Sequence, residues 1–125
     1  MKQTFQINGA PAPIGPYSQA VVKNGTLFVS GQIPLDPLSG ELILGSIEKE
    51  THQVMKNLES LLKAASYEWL DVMKCSIFLK DLNDFEVVNK VYASYFEHDF
   101  PARECVQVSK LPKDVNVEIS MIAVL

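Results

Sequence analysis

The sequence contains little cysteine and no long apolar run. Its two cysteines, Cys75 and Cys105, are far apart and neither lies in a Cys-x-x-Cys pair, so neither a disulfide framework nor a zinc site is indicated. Residues 1–6 lack the apolar stretch of a secretory signal, and no segment approaches the roughly 18 apolar residues of a membrane-spanning helix. These absences predict a cytoplasmic protein with reduced thiols and no membrane contact.

Positive charge is also scarce. The chain has 11 Lys and Arg against 15 Asp and Glu, for a formal net charge of −4. This balance lacks the cationic surface that binding to a phosphate backbone requires, so nucleic acid is not the expected partner. The 125 residues, 47% of them apolar, fit a single domain over 1–125 that can bury a core without disulfide or metal staples.

Proline and glycine are concentrated in the first 45 residues, which predicts loops and short strands in that part of the chain. The Asn24-Gly25 pair is the strongest short signal for a hairpin turn. It predicts that Val21–Val22 and Leu27–Ser30 pair as a β-hairpin.

Two helices are indicated by apolar residues at helical spacing. The first is predicted between residues 46 and 66, with Ser46 as its N-cap. The second is predicted to begin at Asn83, whose side chain would cap it while Glu86 completes a capping box, and Pro101 would close it off.

Apolar and polar residues alternate with period two in three later segments, which predicts strands at Val72–Lys80, Ala102–Ser109 and Val115–Val124. Strands and helices in this order predict an α+β fold, a two-layer sandwich with two helices on one face of the sheet. The other face, which would carry Phe28 and Phe78, must therefore meet solvent or another subunit, and we favour another subunit.

The alternation also predicts where polar side chains point. In the last strand Glu118 points away from the apolar residues, and in the strand before it Arg103 and Cys105 oppose Val106. We therefore expect Arg103, Cys105 and Glu118 to share the uncovered face of the sheet.

Arg103 and Glu118 have the chemistry of a small-molecule site. A guanidinium can bind a carboxylate through a bidentate pair, and a nearby carboxylate can orient or deprotonate water. Alternation alone favours an ordinary cross-strand ion pair beside a buried thiol, because exposed Arg and Glu on neighbouring strands are common. Cys105 lacks a base, since the only histidines, His52 and His98, are predicted at surface positions of the two helices.

Several blocks in order resemble, over nearly the whole chain, the RidA (YjgF-type) family of reactive-intermediate deaminases. They are Ile14–Ala20, Val29–Pro37, Phe85–Asn89, Pro101–Arg103 with Cys105, and Val117–Ile119. The resemblance implies a mixed sheet similar to that of the trimeric bacterial chorismate mutases, with clefts between the subunits of a homotrimer. It further implies cofactor-free and metal-free hydrolysis of 2-imino acids and enamines, such as 2-iminobutanoate and 2-iminopropanoate, to 2-oxo acids and ammonia.

The resemblance also assigns roles to residues of this chain. Arg103 would bind the substrate carboxylate, Tyr17 would form the apolar wall, and Glu118 would position the attacking water. The remaining substrate-binding positions would be Ser30, Gly31, Asn89 and Cys105. Two rival functions stay open: a non-catalytic protein that binds 2-oxo acids as a regulator, and a ribonuclease-like translation inhibitor, which the net charge of −4 disfavours.

Two positions depart from the family pattern. Glu104 follows Arg103 where the family usually has a small or uncharged residue, and we expect its carboxylate to compete for the guanidinium. Ser66 stands where the first helix usually ends in glycine. If its backbone is left-handed, this serine costs about 1 kcal/mol of stability.

Overall fold

The computed structural model describes residues 1–125. Its strands and helices, in chain order, are β1 (Gln3–Phe5), β2 (Ala20–Lys23), β3 (Thr26–Gln32), α1 (Ile47–Ala64), β4 (Val72–Leu79), α2 (Phe85–Ala93), β5 (Ala102–Gln107) and β6 (Val117–Val124). Short 3₁₀ turns lie at Trp69–Asp71, Leu82–Asp84 and Pro112–Asp114. Neither helix has the length and apolar character needed to cross a membrane.

All six strands form one mixed sheet in the order β1-β2-β3-β6-β4-β5. Every neighbouring pair is antiparallel except β4 and β5, which run parallel. Parallel strands need a crossover connection, and α2 supplies it. The predicted α+β sheet with two helices is confirmed.

The core lies between the helices and one face of the sheet. On α1, Val54, Leu58 and Leu61 are fully buried, and on the sheet Ile77 and Ile119 are fully buried with them. Burying each such side chain contributes about 1.5–3 kcal/mol, so the sheet face that meets the helices is fixed by its apolar residues.

The other sheet face is not covered by any element of the chain. Phe28 on β3 pairs with Ile122 on β6, and the Phe28 side chain is 49% exposed. Phe78 on β4 is half-buried on the same face, where it pairs with Glu118. A contiguous set of apolar side chains on an open sheet face is typical of a contact surface.

The first hairpin forms where the sequence predicts it. Lys23 pairs with Thr26, and the two turn residues Asn24 and Gly25 have φ values of 50° and 78°. Positive φ at both central positions is the type I′ geometry that matches the twist of paired strands, which explains the Asn-Gly pair.

Both ends of α1 follow the sequence prediction. The Ser46 side chain accepts a hydrogen bond of 3.1 Å from the Lys49 amide at the start of the helix. At its end Ser66 has φ 63°, its amide donates to the Lys63 carbonyl, and the Tyr67 amide donates to the Leu62 carbonyl. This is a Schellman motif with serine in the left-handed position that favours glycine.

The start of the second helix was predicted wrongly. Asn83 caps nothing and lies inside a 3₁₀ turn, where its own amide donates to the Asp81 side chain at 2.9 Å. The Asp81 carboxylate takes the capping role because it lies two residues before a free amide, as in an Asx turn. The α-helix therefore begins at Phe85, and it ends at Ala93, well before Pro101.

Candidate active site

The register of β5 corrects the predicted placement of two site residues. Arg103 pairs with Cys75 and Cys105 pairs with Ile77, and both of these partners on β4 are buried beneath the helices. Residues paired across neighbouring strands share a face of the sheet. Arg103 and Cys105 therefore lie on the helix-covered face.

Glu118, by contrast, pairs with Phe78 on the uncovered face. The prediction that Arg103 and Cys105 share this face with Glu118 is wrong. Alternation shows which residues of a strand lie together, but for an edge strand such as β5 it does not show which of its two faces the helices cover.

Arg103 is held against α2. Its guanidinium donates a hydrogen bond to Oδ1 of Asn89, and its central carbon lies 5.2 Å from the ring centre of Tyr92 and 5.5 Å from that of Phe85. We call these four residues the cation half-site. Three of them, Asn89, Tyr92 and Arg103, line an open depression of about 440 Å³ together with Ala93, Phe100 and Pro101.

No carboxylate neutralises the Arg103 guanidinium. The chain has four salt bridges, and Arg103 takes part in none of them. Its bond to Asn89 uses one N–H group of the five that a guanidinium carries, so a fork of donors remains free. The arrangement is suited to bidentate binding of a carboxylate.

Glu104 does not compete for Arg103, contrary to expectation. Consecutive residues of a strand point to opposite faces, so Glu104 lies on the uncovered side. There it accepts a hydrogen bond from Ser76 and forms a 3.0 Å salt bridge with Lys74. These contacts hold the pKa of the Glu104 carboxyl below its usual value.

A second open depression, of about 700 Å³, brings together four of the predicted site residues: Tyr17, Ser30, Gly31 and Glu118. We call these four the carboxylate half-site. The depression is further lined by Ile14, Ile33, Pro112 and Lys113. Arg103, Asn89 and Cys105 are absent from its lining, so the predicted site is divided between the two faces of the sheet.

Glu118 is an unpaired carboxylate within this second half-site. It forms no salt bridge, its side chain is half-buried, and burial raises the pKa of its carboxyl above the usual value. Gly31 gives it room, because a Cβ at position 31 would lie 2.7 Å from Oε2 of Glu118. A carboxylate of raised pKa that is free of protein partners can act as a base toward a bound molecule.

Ser30 and Tyr17 belong to the wall of the carboxylate half-site. The Ser30 hydroxyl donates a 2.6 Å hydrogen bond to the carbonyl of Ser18, which ties β3 to the loop that carries Tyr17. The proton of Ser30 is therefore already used, and its oxygen remains as an acceptor. Tyr17 is 51% exposed, and its ring is available to a bound molecule.

Cys105 has no base that could activate it. Burial raises the pKa of its thiol, and this exceeds the opposite effect of Arg103. His52 contacts the Tyr95 hydroxyl at 3.0 Å, and His98 contacts Asp99 at 2.9 Å. The structure contains no group of three or more His, Cys, Asp or Glu residues arranged to hold a metal ion.

Sequence reasoning missed Phe85 and Tyr92 as partners of Arg103. Both belong to the apolar residues whose spacing predicts the second helix, and the spacing was used for that purpose alone. The available signal was their spacing, because residues 85, 89 and 92 lie on one face of a helix and two aromatic rings beside an amide can hold a cation.

Comparisons with known proteins bear on the family and the fold of the chain. A family model described as Endoribonuclease L-PSP matches residues 7–125. The chain is 50% identical to a RutC family protein of Pyrococcus horikoshii over 98% of each chain. It is 46% identical to the human 2-iminobutanoate/2-iminopropanoate deaminase over 92% of this chain and 84% of that protein. Among solved structures, YyfA of the Rid family from Yersinia pestis matches with a TM-score of 0.97 and 44% identity over 100% of both chains.

Proposed function

Because the chain belongs to the YjgF/RidA family, whose model carries the description endoribonuclease L-PSP, we propose that it hydrolyses 2-imino acids and their enamine tautomers to 2-oxo acids and ammonia. The six-stranded sheet with two helices is the chorismate-mutase-like fold of that family. Three mammalian relatives, 46–49% identical to this chain, are named 2-iminobutanoate/2-iminopropanoate deaminase. The same two compounds are the substrates proposed for this protein.

One observation carries the proposal: the chain holds a guanidinium without a carboxylate partner and a carboxylate without a cationic partner. A 2-imino acid presents a carboxylate next to an electrophilic C=N carbon. Arg103 binds the carboxylate of this substrate as a bidentate pair, which fixes the position of the imine carbon. The Tyr17 ring packs against the substrate's apolar side chain.

Glu118 acts on the attacking water. The imine reacts in its protonated form, C=NH2⁺. Glu118 accepts a proton from the water while the water oxygen bonds to the imine carbon and the C=N π pair moves to nitrogen, which gives a neutral carbinolamine. Glu118 returns this proton to the amino group, then accepts the hydroxyl proton as the C–N bond breaks and the carbonyl of the 2-oxo acid forms, and passes it to the departing ammonia, which leaves as ammonium. One water is consumed and one ammonia released, and no redox step is involved.

The two groups lie on opposite faces of the sheet within one chain, so we infer that a complete site forms between two copies. The uncovered face, which includes Phe28 and Phe78, supplies the contact surface. One copy would contribute its cation half-site and its neighbour the carboxylate half-site. Repetition of this heterologous contact around a closed ring gives the homotrimer.

A coupled assay tests the activity. Threonine dehydratase supplies 2-iminobutanoate, and the rate at which 2-oxobutanoate appears is measured with and without this protein. We expect wild type to accelerate the reaction, Arg103→Ala to abolish both the acceleration and 2-oxobutanoate binding, and the exposed-lysine control Lys63→Ala to behave as wild type. Glu118→Gln should lower the rate roughly 10²-fold with little change in 2-oxobutanoate binding.

The same assay separates the rival functions. If wild type binds 2-oxobutanoate but hydrolyses no imino acid, a regulatory 2-oxo-acid sensor replaces the deaminase. The description of the family model raises ribonuclease activity as a further outcome. Cleavage of a labelled RNA by wild type, but not by Arg103→Ala, would support a ribonuclease over the deaminase. The net charge of −4 disfavours that outcome.

A further inference from the structure

Arg103 lies against a surface of α2 that carries two aromatic rings. Phe85, Asn89 and Tyr92 are separated by four and three positions, so they lie on the same face of the helix. The guanidinium is 5.5 Å from the Phe85 ring centre and 5.2 Å from the Tyr92 ring centre. Both distances are within the roughly 6 Å range over which a cation is attracted to an aromatic face.

The rings and the amide restrict different motions of the guanidinium. Contacts with two ring faces limit its displacement, and the hydrogen bond to Asn89 fixes its rotation. None of these three residues competes with an anion for the charge, because each is neutral. The cation is thus held in place, and Arg103 lines the depression with N–H groups that Asn89 does not use.

Tyr92 is itself held rigidly. It is 4% exposed, and its ring lies 4.9 Å from that of Phe96, which in turn lies 5.2 Å from that of Trp69. The Tyr92 hydroxyl faces the buried Cys75 thiol and has no oxygen or nitrogen partner. The ring of Tyr92, and not its hydroxyl, is therefore the group that contacts Arg103.

We propose that Phe85 and Tyr92 are positioning residues that hold the Arg103 guanidinium in the orientation that binds a substrate carboxylate. The proposal rests on the proposed function, in which Arg103 binds that carboxylate. Because the carboxylate is bound in both the ground state and the transition state, loss of a ring weakens substrate binding much more than it slows the chemical step.

Phe85 offers the cleaner test because it is only half-buried, whereas truncation of Tyr92 would open a cavity in the core. Phe85→Leu keeps an apolar side chain but removes the ring, and Phe85→Tyr keeps the ring. We expect Phe85→Leu to raise both the Kd for 2-oxobutanoate and the KM for 2-iminobutanoate about threefold to tenfold with kcat nearly unchanged. Phe85→Tyr and the exposed helix control Val87→Ala should match wild type.

A second measurement needs no ligand. In the free protein, the ¹⁵N relaxation of the Arg103 Nε–H should report a rigid group in wild type and Phe85→Tyr and a mobile one in Phe85→Leu. Equal relaxation and equal Kd in all variants would overturn the positioning role, as would a loss of binding that Phe85→Tyr shares. Absence of imine hydrolysis by wild type defeats the proposed function alone, because the relaxation and binding comparisons still test the Phe85 ring.

Discussion

At the scale of single residues, the close approach of Gly31 to Glu118 leads to a specific prediction. Gly31 does not have a positive φ, so alanine can adopt its backbone conformation, but the new Cβ would lie 2.7 Å from Oε2 and 2.8 Å from Cδ of Glu118. Gly31→Ala should therefore displace the carboxylate and lower kcat by at least tenfold in the coupled imine assay, with a folded protein by circular dichroism.

Gly40→Ala is the matched control for this substitution. A Cβ at position 40 meets no atom within 4 Å, but the φ of 74° is strained for any residue except glycine. This variant should lose about 1 kcal/mol of stability in urea unfolding while its kcat stays at the wild-type value. Full activity of Gly31→Ala, or an equal loss of kcat in both variants, would show that the room beside Glu118 is unimportant.

The raised pKa of Glu118 predicts opposite pH effects on activity and stability. As a base, Glu118 works only when ionised, so kcat/KM should fall in acid with an inflection above the usual value of a free glutamate. For stability, a carboxyl whose pKa is raised by folding destabilises the native state progressively as the pH rises from its unfolded-state pKa to its folded-state pKa, and has no effect where both states are protonated.

Glu118→Gln should therefore have a higher urea midpoint than wild type at about pH 7, and the difference should disappear at about pH 3. Glu104→Gln is the control of opposite sign, because contacts with Ser76 and Lys74 lower the Glu104 pKa and stabilise the ionised form. If Glu118→Gln had a lower urea midpoint than wild type at neutral pH, burial would not destabilise the ionised form of Glu118.

At the scale of elements, the end of α1 carries a residue that is conformationally costly. Ser66 occupies the left-handed position of a Schellman motif with φ 63°, and its side chain is exposed. Ser66→Gly should raise the free energy of unfolding by roughly 1 kcal/mol, whereas Ser66→Ala, which retains a Cβ, should not. Equal urea midpoints for the two variants would be inconsistent with a backbone cause.

The elements differ in how well their sequence predicts them. The end residues of α1 and the Asn24-Gly25 turn were predicted correctly because capping and turn geometry depend on residues a few positions apart. The face of Arg103 was predicted wrongly because it depends on the parallel register between β5 and β4, which pairs residues 28 positions apart such as Cys75 and Arg103. On β5, Val106 lies on the uncovered face and is 42% exposed. The apolar residue of this strand therefore does not indicate which face is buried.

At the scale of the whole molecule, a site shared between copies predicts both mass and complementation. Sedimentation equilibrium should show a particle near three times the 13.9 kDa chain, and a stable monomer at micromolar concentration would defeat the shared site. Arg103→Ala, inactive alone, and Glu118→Gln, with about one hundredth of the wild-type rate, should recover about one quarter of wild-type activity when they are unfolded and refolded together in equal amounts.

The recovery follows from random mixing, because some contacts then join an intact cation half-site to an intact carboxylate half-site. Two samples of Arg103→Ala refolded together provide the control and should remain inactive. No recovery in mixed oligomers would mean that both groups act from the same chain. A site shared between two copies could not be predicted from strand alternation, because alternation describes the faces of strands within one chain and not the contacts between chains.

The two half-sites also differ in how much of the chain must be folded to build them. Arg103 and Asn89 are 14 residues apart and belong to one β4–α2–β5 unit. The carboxylate half-site combines Tyr17 and Gly31, near the start of the chain, with Glu118, near its end. Closing so long a loop costs more conformational entropy, and contacts distant in sequence form more slowly. A refolding chain should therefore acquire its anion-binding surface first and its general base last, and local unfolding at the termini should remove them in the reverse order.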